Sequence, residues 1–468
     1  MPRLLQSRSV FIALFLLGLC ARLAFLPLPG TGDVAVFKIW AHAAATGRVA
    51  QMYGVGGTPP ERRLHDFDGR QATVDYPPVA LYELAFVGAA YEAVFPGFPN
   101  GLALTAAVKL LPVAAEIGLA WLLIWSVRRI IPGRREPARF AGLAFWLNPA
   151  ALLASAALGY LDALFALPAL GALVAASQGH AALSGVLLAI AALTKPQAVL
   201  VAPVVVLAIW NTAGVGGRLT PVAAMSKAAY GAGLTASALL LPIAVAGAWP
   251  NFVQAMGSLT RHDMLSGQAA NLWWIVTYVM RAVYAVPDMG IADAFLSPVR
   301  RPLAITTLVQ LGYPSPRLAA SLIALAAAAW GVWLGRRMRD LPRLALVGAW
   351  VFYAYFMLSV QVHENHFFMI LPLLALAATA LPEWRVLFWV LSVSFALNLN
   401  LFYGFGNGVG WALPRTVTGI DASVWLSMAN VAVFVWFARK LPGSLRERDD
   451  TSTSGRAGIP HPRGSSSR

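Results

Sequence analysis

Apolar stretches of span length follow one another along almost the whole chain, and polar residues collect in the breaks between them. The longest runs fall at about 9–27, 104–126, 140–157, 161–177, 182–194, 197–212, 228–247, 317–335, 343–360, 365–381, 385–403 and 421–438. A helix that crosses the hydrocarbon core of a bilayer needs about 20 such residues. A spanning barrel would instead show short alternating segments. The pattern predicts an all-α polytopic membrane protein of about 12 transmembrane helices.

One long polar interruption follows the first run. It is expected to form a large first external loop over 28–103, in which Gly32-Asp33 opens a polar stretch that closes on Asp75-Tyr76-Pro77-Pro78. Two apolar pieces, 79–95 and 272–287, carry Glu83 and Glu92 in the first and Arg281 in the second. Charges there suit a helix lying on the membrane surface better than one buried in lipid, so both are read as interfacial helices in external loops. The first run follows Arg3 and Arg8 and looks like a signal peptide. No small-residue cleavage pattern precedes Asp33, so a retained signal-anchor helix is expected. Residues 443–468 are Ser, Gly, Arg and Pro with almost nothing apolar, the composition of a disordered cytoplasmic tail. That leaves 1–442 as a single membrane domain, with no repeat between its halves.

Composition strengthens the membrane reading. Hydrophobic residues make up 59% of the chain and charged residues 12%, against about 25% charged in a soluble domain. The mean hydropathy is +0.66. A net charge of +15 would also suit a nucleic-acid partner. The basic residues, however, stand at the ends of the apolar runs, so the lipid bilayer is the expected partner and nucleic acid is not. Arg128, Arg129, Arg134, Arg135 and Arg139, the pair Arg218 and Lys227, the group Arg336, Arg337, Arg339 and Arg343, and Arg385 all fall on one side if the two interfacial pieces do not cross. Both termini are then cytoplasmic. Cys20, the single cysteine, lies inside the first run and says nothing about disulfides. The bias toward Arg, Ala and Gly points to a GC-rich genome, hence to a bacterial inner membrane with the site facing the periplasm or exterior.

This topology gathers the unusual polar groups on the outer face: Asp33 and Asp75, Gly159-Tyr160-Leu161-Asp162, Thr194-Lys195-Pro196-Gln197, Arg261-His262-Asp263 and His363-Glu364-Asn365-His366. Each has a plainer reading. Lys195 could anchor a helix end at the interface, Asp162 could cap a helix, and Arg62-Arg63 read as a solvated surface. His363 and His366 lack the four-residue separation around a Glu that zinc-protease helices use. Asp66-Phe67-Asp68 resembles the carboxylate pair that holds a metal-nucleotide in many sugar transferases, a triplet frequent by chance. The joint clustering on one face carries more than any single member.

The residues Gly32-Asp33, Lys38-Ile39-Trp40 and Asp75-Tyr76-Pro77-Pro78-Val79-Ala80-Leu81-Tyr82 together resemble the first external loop of GT-C glycosyltransferases. The likeness is greatest to the dolichyl-phosphate-glucose-dependent glucosyltransferases of asparagine-linked glycan synthesis, and bacterial GT-C relatives share the features. Ala270-Asn271-Leu272-Trp273 resembles that family's Ala-Asn-Phe-Trp, and Val360-Gln361-Val362-His363-Glu364 resembles its Gln-Val-His-Glu-Lys, with Asn365 in place of the lysine. The resemblance implies a GT-C fold and an inverting transfer of a sugar from a polyprenyl-phosphate donor to a glycolipid, glycan or protein acceptor. It also implies that Asp33 is the general base. A hydroxyl is a poor nucleophile until a carboxylate takes its proton.

The leaving group is an anionic phosphate, so a cation or imidazolium beside it would stabilise developing charge. Lys195, His363 and Arg261 are the candidates, and Arg300-Arg301 could substitute for the family lysine that Asn365 replaces. Glu364 is expected to orient His363 or bind a sugar hydroxyl. Asp75, Tyr76, Pro77, Pro78, Asp162, Asn271 and Trp273 are expected to shape the cavity. No cofactor is expected, and metal independence is expected with a divalent cation left open. The competing reading is a transporter or flippase of lipid-linked sugars, which would place charges near the bilayer midplane rather than at one boundary.

Overall fold

Each expected apolar run forms a helix. The computed structural model describes residues 5–56, 58–59, 63–213, 219–258, 264–284, 316–406, 416–418 and 420–446. In chain order the helices are α1 (Arg8–Phe25), α2 (Gly32–Thr46), α3 (Pro78–Val94), α4 (Leu102–Ile130), α5 (Arg135–Trp146), α6 (Pro149–Leu152), α7 (Asp162–Ser177), α8 (Ala181–Thr194) and α9 (Ala202–Thr212). They continue as α10 (Pro221–Val245), α11 (Trp249–Ser258), α12 (Leu272–Tyr284), α13 (Pro316–Leu334), α14 (Leu341–Leu358), α15 (Ile370–Ala380), α16 (Arg385–Tyr403) and α17 (Ala422–Ser444). Some of their starts are capped by polar side chains. Ser7 accepts from Val10 N at 3.4 Å, Asp340 from Arg343 N at 3.0 Å and Asp421 from Ser423 N at 2.8 Å.

Seven of the described helices are long and apolar enough to cross a membrane: α1, α4, α10, α13, α14, α17 and the run Pro382–Tyr403 that contains α16. An eighth is added if α5 and the segment Pro149–Ala157 count as one span bent by 42°. The bend falls at Asn148-Pro149, where proline removes a backbone donor and disfavours helix in the residue before it. Four further apolar helices, Asp162–Ser177, Ala181–Thr194, Pro196–Thr212 and Glu364–Ala380, are shorter. At 1.5 Å per residue such helices reach only about 20–25 Å. Among the described residues, length and composition therefore fit an integral membrane protein, with seven or eight helices able to span.

Burial separates inner from outer helices. The apolar window of α14 is 83% buried, whereas those of α1, α10 and α13 are 11%, 17% and 17% buried. Leu17, Leu241 and Leu325 accordingly face outward, as lipid-facing side chains do. Small residues bring α8 and α10 together. A Cβ on Gly185 would meet Ala228 O at 1.9 Å, and one on Gly231 would meet Ala182 O at 2.4 Å.

The stretch 28–103 contains α2, a hairpin of β1 (His65–Phe67) with β2 (Arg70–Ala72), and α3. The expected interfacial helices correspond to α3 and α12. The side chain of Arg281 lies outside the described residues, as does the expected disordered tail beyond Arg446.

Successive long helices reverse direction, which sorts their connections into two groups. One holds the basic residues: Arg129 donates to Gln178 Oε1 at 3.5 Å, Arg139 to Leu5 O and Gln6 O at 2.7 Å each, and Arg343 to Ser444 O at 3.0 Å. The other holds 26–31, 158–161, 195 and 359–363. Thr31 N donates to Leu158 O at 3.0 Å, and Lys109, fully buried in α4, donates to Leu28 O at 2.5 Å and Ala157 O at 2.6 Å.

Candidate active site

A cavity of about 780 Å³ opens where this second group of connections meets. Its first wall is built by α2 and the segment before α3. Thr31 is the N-cap of α2, which places Asp33 in the first turn, where the helix dipole favours a carboxylate. Farther along α2, Trp40 Nε1 donates to Thr73 O at 3.1 Å, and the Tyr76 ring packs 5.4 Å from Trp40 and 5.9 Å from Phe37. Tyr53 OH donates to Tyr76 O at 2.7 Å. Pro77 is the N-cap and Pro78 the first residue of α3, both with backbones already suited to a helix start. Asp75 and Tyr76 therefore enter the cavity from a fixed segment.

The second wall is an ion pair. Lys195, at the extended break after α8, places Nζ 2.7 Å from Asp162 Oδ1, and Asn365 Nδ2 donates to Asp162 Oδ2 at 2.9 Å. Both charged side chains are buried, at 5% and 1% exposure. A buried charge persists when it is paired and its remaining lone pairs are satisfied, and Asp162 meets both conditions. Lys195 Nζ also stands 5.9 Å from the centre of the Tyr76 ring, so it faces the first wall.

The third wall joins distant segments through two parallel two-residue strands, β3 (Ser266–Gly267) and β4 (Val362–His363). Gln268 and Gln361 flank them with φ of 65° and 62°. Left-handed backbone is uncommon outside glycine, and such strain gathers at functional sites. A Cβ on Gly267 would lie 2.6 Å from His363 Nδ1, so glycine lets the imidazole lie against the strand. Tyr160 donates a short hydrogen bond to Glu364 Oε1, and Tyr403 donates another to Gln268 Oε1. Gln197 Nε2 sits 2.8 Å from His366 Nε2, whose ring also meets Tyr355 OH at 3.3 Å.

Burial raises more than one carboxyl of this cavity, Asp33 and Glu364 among them. For Asp33, burial lifts the carboxyl above the usual aspartate range; Lys195 pulls it back, while Asp75 and Asp162 push it further up. A carboxylate that is costly to keep ionised is a stronger proton acceptor once it is.

Of the residues singled out by sequence, Asp33, Asp75, Tyr76, Lys195, His363 and Glu364 all line this cavity. Asp162 stands behind Lys195, at the first residue of α7 and one place past its cap position. Asn271 and Trp273 act at one remove: Asn271 Nδ2 donates to Phe356 O at 2.9 Å and Trp273 Nε1 to Leu358 O at 2.7 Å, fastening the start of α12 to the end of α14. Arg261 and the Arg300-Arg301 pair lie outside the described residues.

Asp66 and Asp68 are on the hairpin. Asp66 borders a separate cavity of about 360 Å³ with His42 and His65, and Asp68 accepts from Asn100. Among the described residues no three His, Cys, Asp or Glu side chains converge to hold a metal. Sequence reasoning passed over Gln268, Tyr355 and Tyr403, which line the cavity, and Lys109 behind it. A lysine inside an apolar run was a visible signal; the tyrosines carried none.

No known family model matches this chain, and no curated protein matches its sequence. Fold and cavity together define a polytopic helical membrane protein with a charged cavity at one end of its helices.

Proposed function

We propose that the protein is a GT-C-type inverting glycosyltransferase, with about twelve spans, using a polyprenyl-phosphate-linked sugar at the extracytoplasmic face of a bacterial inner membrane. The observation that carries this reading is the convergence of Asp33, Lys195, His363 and Glu364 on one cavity from three separate parts of the chain. Asp33, its proton affinity raised by burial, takes the proton of the acceptor hydroxyl as that oxygen attacks the anomeric carbon. The bond from that carbon to phosphate oxygen breaks in the same displacement, and the electron pair leaves with the polyprenyl phosphate. Lys195 and His363 face the leaving group, the lysine supplying positive charge where negative charge grows. The basic residues gathered at the opposite end suit a cytoplasmic face there.

The alternative is transport of a lipid-linked sugar. One observation favours it: Arg22 and Glu116 form a 2.6 Å ion pair inside α1 and α4, and intramembrane charges often mark a transport path. Both side chains are fully buried and neither lines the cavity, which weighs for a structural pair.

The deciding experiment incubates the purified protein with a panel of polyprenyl-phosphate sugars and follows release of polyprenyl phosphate. Turnover with at least one donor, lost in Asp33→Asn, is expected. Absence of turnover across the panel, or an Asp33→Asn protein as active as the wild type, would overturn the reading.

A further inference from the structure

The ion pair of Arg22 and Glu116 reaches both sides of the bend at Asn148-Pro149. On the near side, Arg22 Nη1 donates to Trp146 O at 2.7 Å, at the end of α5, and the guanidinium lies 3.6 Å from the centre of the Trp146 ring. On the far side, Ser155 Oγ donates to Glu116 Oε1 at 2.8 Å, while Glu116 Oε2 holds Arg22 Nε. Ser155 belongs to the turn Leu153–Ala157, which is π-helical: Leu158 N donates to Leu153 O, five residues back, at 2.8 Å. Such turns are rare and gather at functional sites. All five residues are buried, and Ser155 is the only polar side chain among them.

The exit of that turn leads into the cavity. Ala157 O is held by Lys109 Nζ at 2.6 Å, and Leu158 O accepts from Thr31 N, the cap residue of α2. Gly159 turns the chain with φ of 80°, and a Cβ there would collide with the Val34 side chain. Tyr160 comes next. Its backbone N is bound back onto the turn, 2.9 Å from Ala154 O, and its hydroxyl donates to Glu364 Oε1 on the cavity wall. Each helical residue rotates the chain by about 100° and advances it about 1.5 Å. Relaxing the wide turn toward an ordinary α-helix would therefore swing Tyr160 away from Glu364.

We propose that Ser155 is a positioning residue for sugar transfer: bonded to Glu116 and through it to Arg22, it fixes the π-helical turn that aims Tyr160 at Glu364. This rests on the glycosyl-transfer reading. It gives the intramembrane ion pair a task other than transport, which is to hold the two halves of the bent helix at one angle. Arg22, Glu116 and Ser155 do not line the cavity, so their effect passes through the residues that follow the turn. A displacement of about 1 Å at the reacting groups costs about 100-fold in rate, so one lost hydrogen bond remote from the substrate is enough to register.

The test compares wild type with Ser155→Ala, Tyr160→Phe and the double variant, as full-length protein in detergent, on a polyprenyl-phosphate sugar that the wild type turns over. For each, kcat per folded protein, donor KM and melting temperature are read. Ser155→Ala removes a single oxygen and leaves the backbone free of strain. Its kcat per folded protein should fall about tenfold. In the Tyr160→Phe background the same substitution should cost clearly less, because a residue that acts through Tyr160 then has nothing left to aim. An equal loss in both backgrounds would overturn the proposal. So would a Ser155→Ala protein that melts lower but keeps the wild-type kcat, the mark of packing alone; either result leaves the transfer reading standing. A wild-type protein that turns over no donor would instead remove the transfer reading and this proposal with it.

Discussion

Asn365 Nδ2 donates to Asp162 Oδ2 at 2.9 Å, a bond between the turn that follows β4 and the first residue of α7. It occupies the carboxylate oxygen that Lys195 leaves open. A lysine at position 365 would bring a second cation to Asp162 and compete with Lys195 for it. With asparagine there, Asp162 answers to Lys195 alone, and the lysine is held toward the cavity by a neutral clamp behind its partner.

Breaking that pair from either side should destabilise the protein. Asp162→Asn leaves Lys195 buried without its counter-charge, a change that costs about 3–5 kcal/mol. Lys195→Met should cost a comparable amount by stranding Asp162. The double variant should be less destabilised than the sum of the two, because neither charge is then left alone. Thermal unfolding in one detergent checks all three; strict additivity would mean that the pair is not coupled.

The pH profile should report Asp33. A base works only when ionised, so transfer should fall as pH drops through the Asp33 pKa, and burial sets that limb above the ordinary aspartate value of about 3.9. Asp75→Asn removes one of the negative charges that raise it, so the acid limb should move to lower pH. A limb that stays in place, or moves upward, contradicts the assignment. Linkage gives the accompanying stability trend. A carboxyl raised in the folded state favours its protonated form there, so its contribution to stability declines as pH rises through that range.

Lys109→Met tests what holds the first wall. The substitution strips the donor from two carbonyls, Leu28 O and Ala157 O, that the buried ammonium serves. Each carbonyl left unpaired costs about 1–3 kcal/mol. The expected result is a lower melting temperature together with weaker transfer, since the same segments lead into Asp33 and Asp162. Lys109→Arg should recover more of both than Lys109→Met; equal behaviour of the two would mean the side chain contributes packing alone.

Gly267→Ala is aimed at His363 without touching it chemically. A methyl group 2.6 Å from Nδ1 forces the imidazole aside. Donor KM should rise several-fold, about 1 kcal/mol of lost binding, while melting changes little. An unchanged KM would return His363 to a structural part.

The apolar runs and the places where they break were decided by the sequence alone. Chain length in lipid and the need to satisfy every backbone group leave helices as the solution for such runs. Asp33, Lys195, His363 and Glu364 were visible for the same reason: each is a polar residue beside a stretch that otherwise avoids polarity. Which of them meet was not. Asp162 finding Lys195 and Asn365, Tyr160 beneath Glu364, and Lys109 reaching Leu28 and Ala157 all join residues distant in sequence. Hydrophobic periodicity is a local signal and fixes one helix at a time. Partners across helices depend on how close small residues such as Gly185 and Gly231 let the helices approach, and on where each connection then falls. The left-handed turns at Gln268 and Gln361 belong to the same class. No glycine announced them in the sequence, because the strand pairing of Ser266-Gly267 with Val362-His363 holds those backbones in place, and that pairing exists only once the helices have packed.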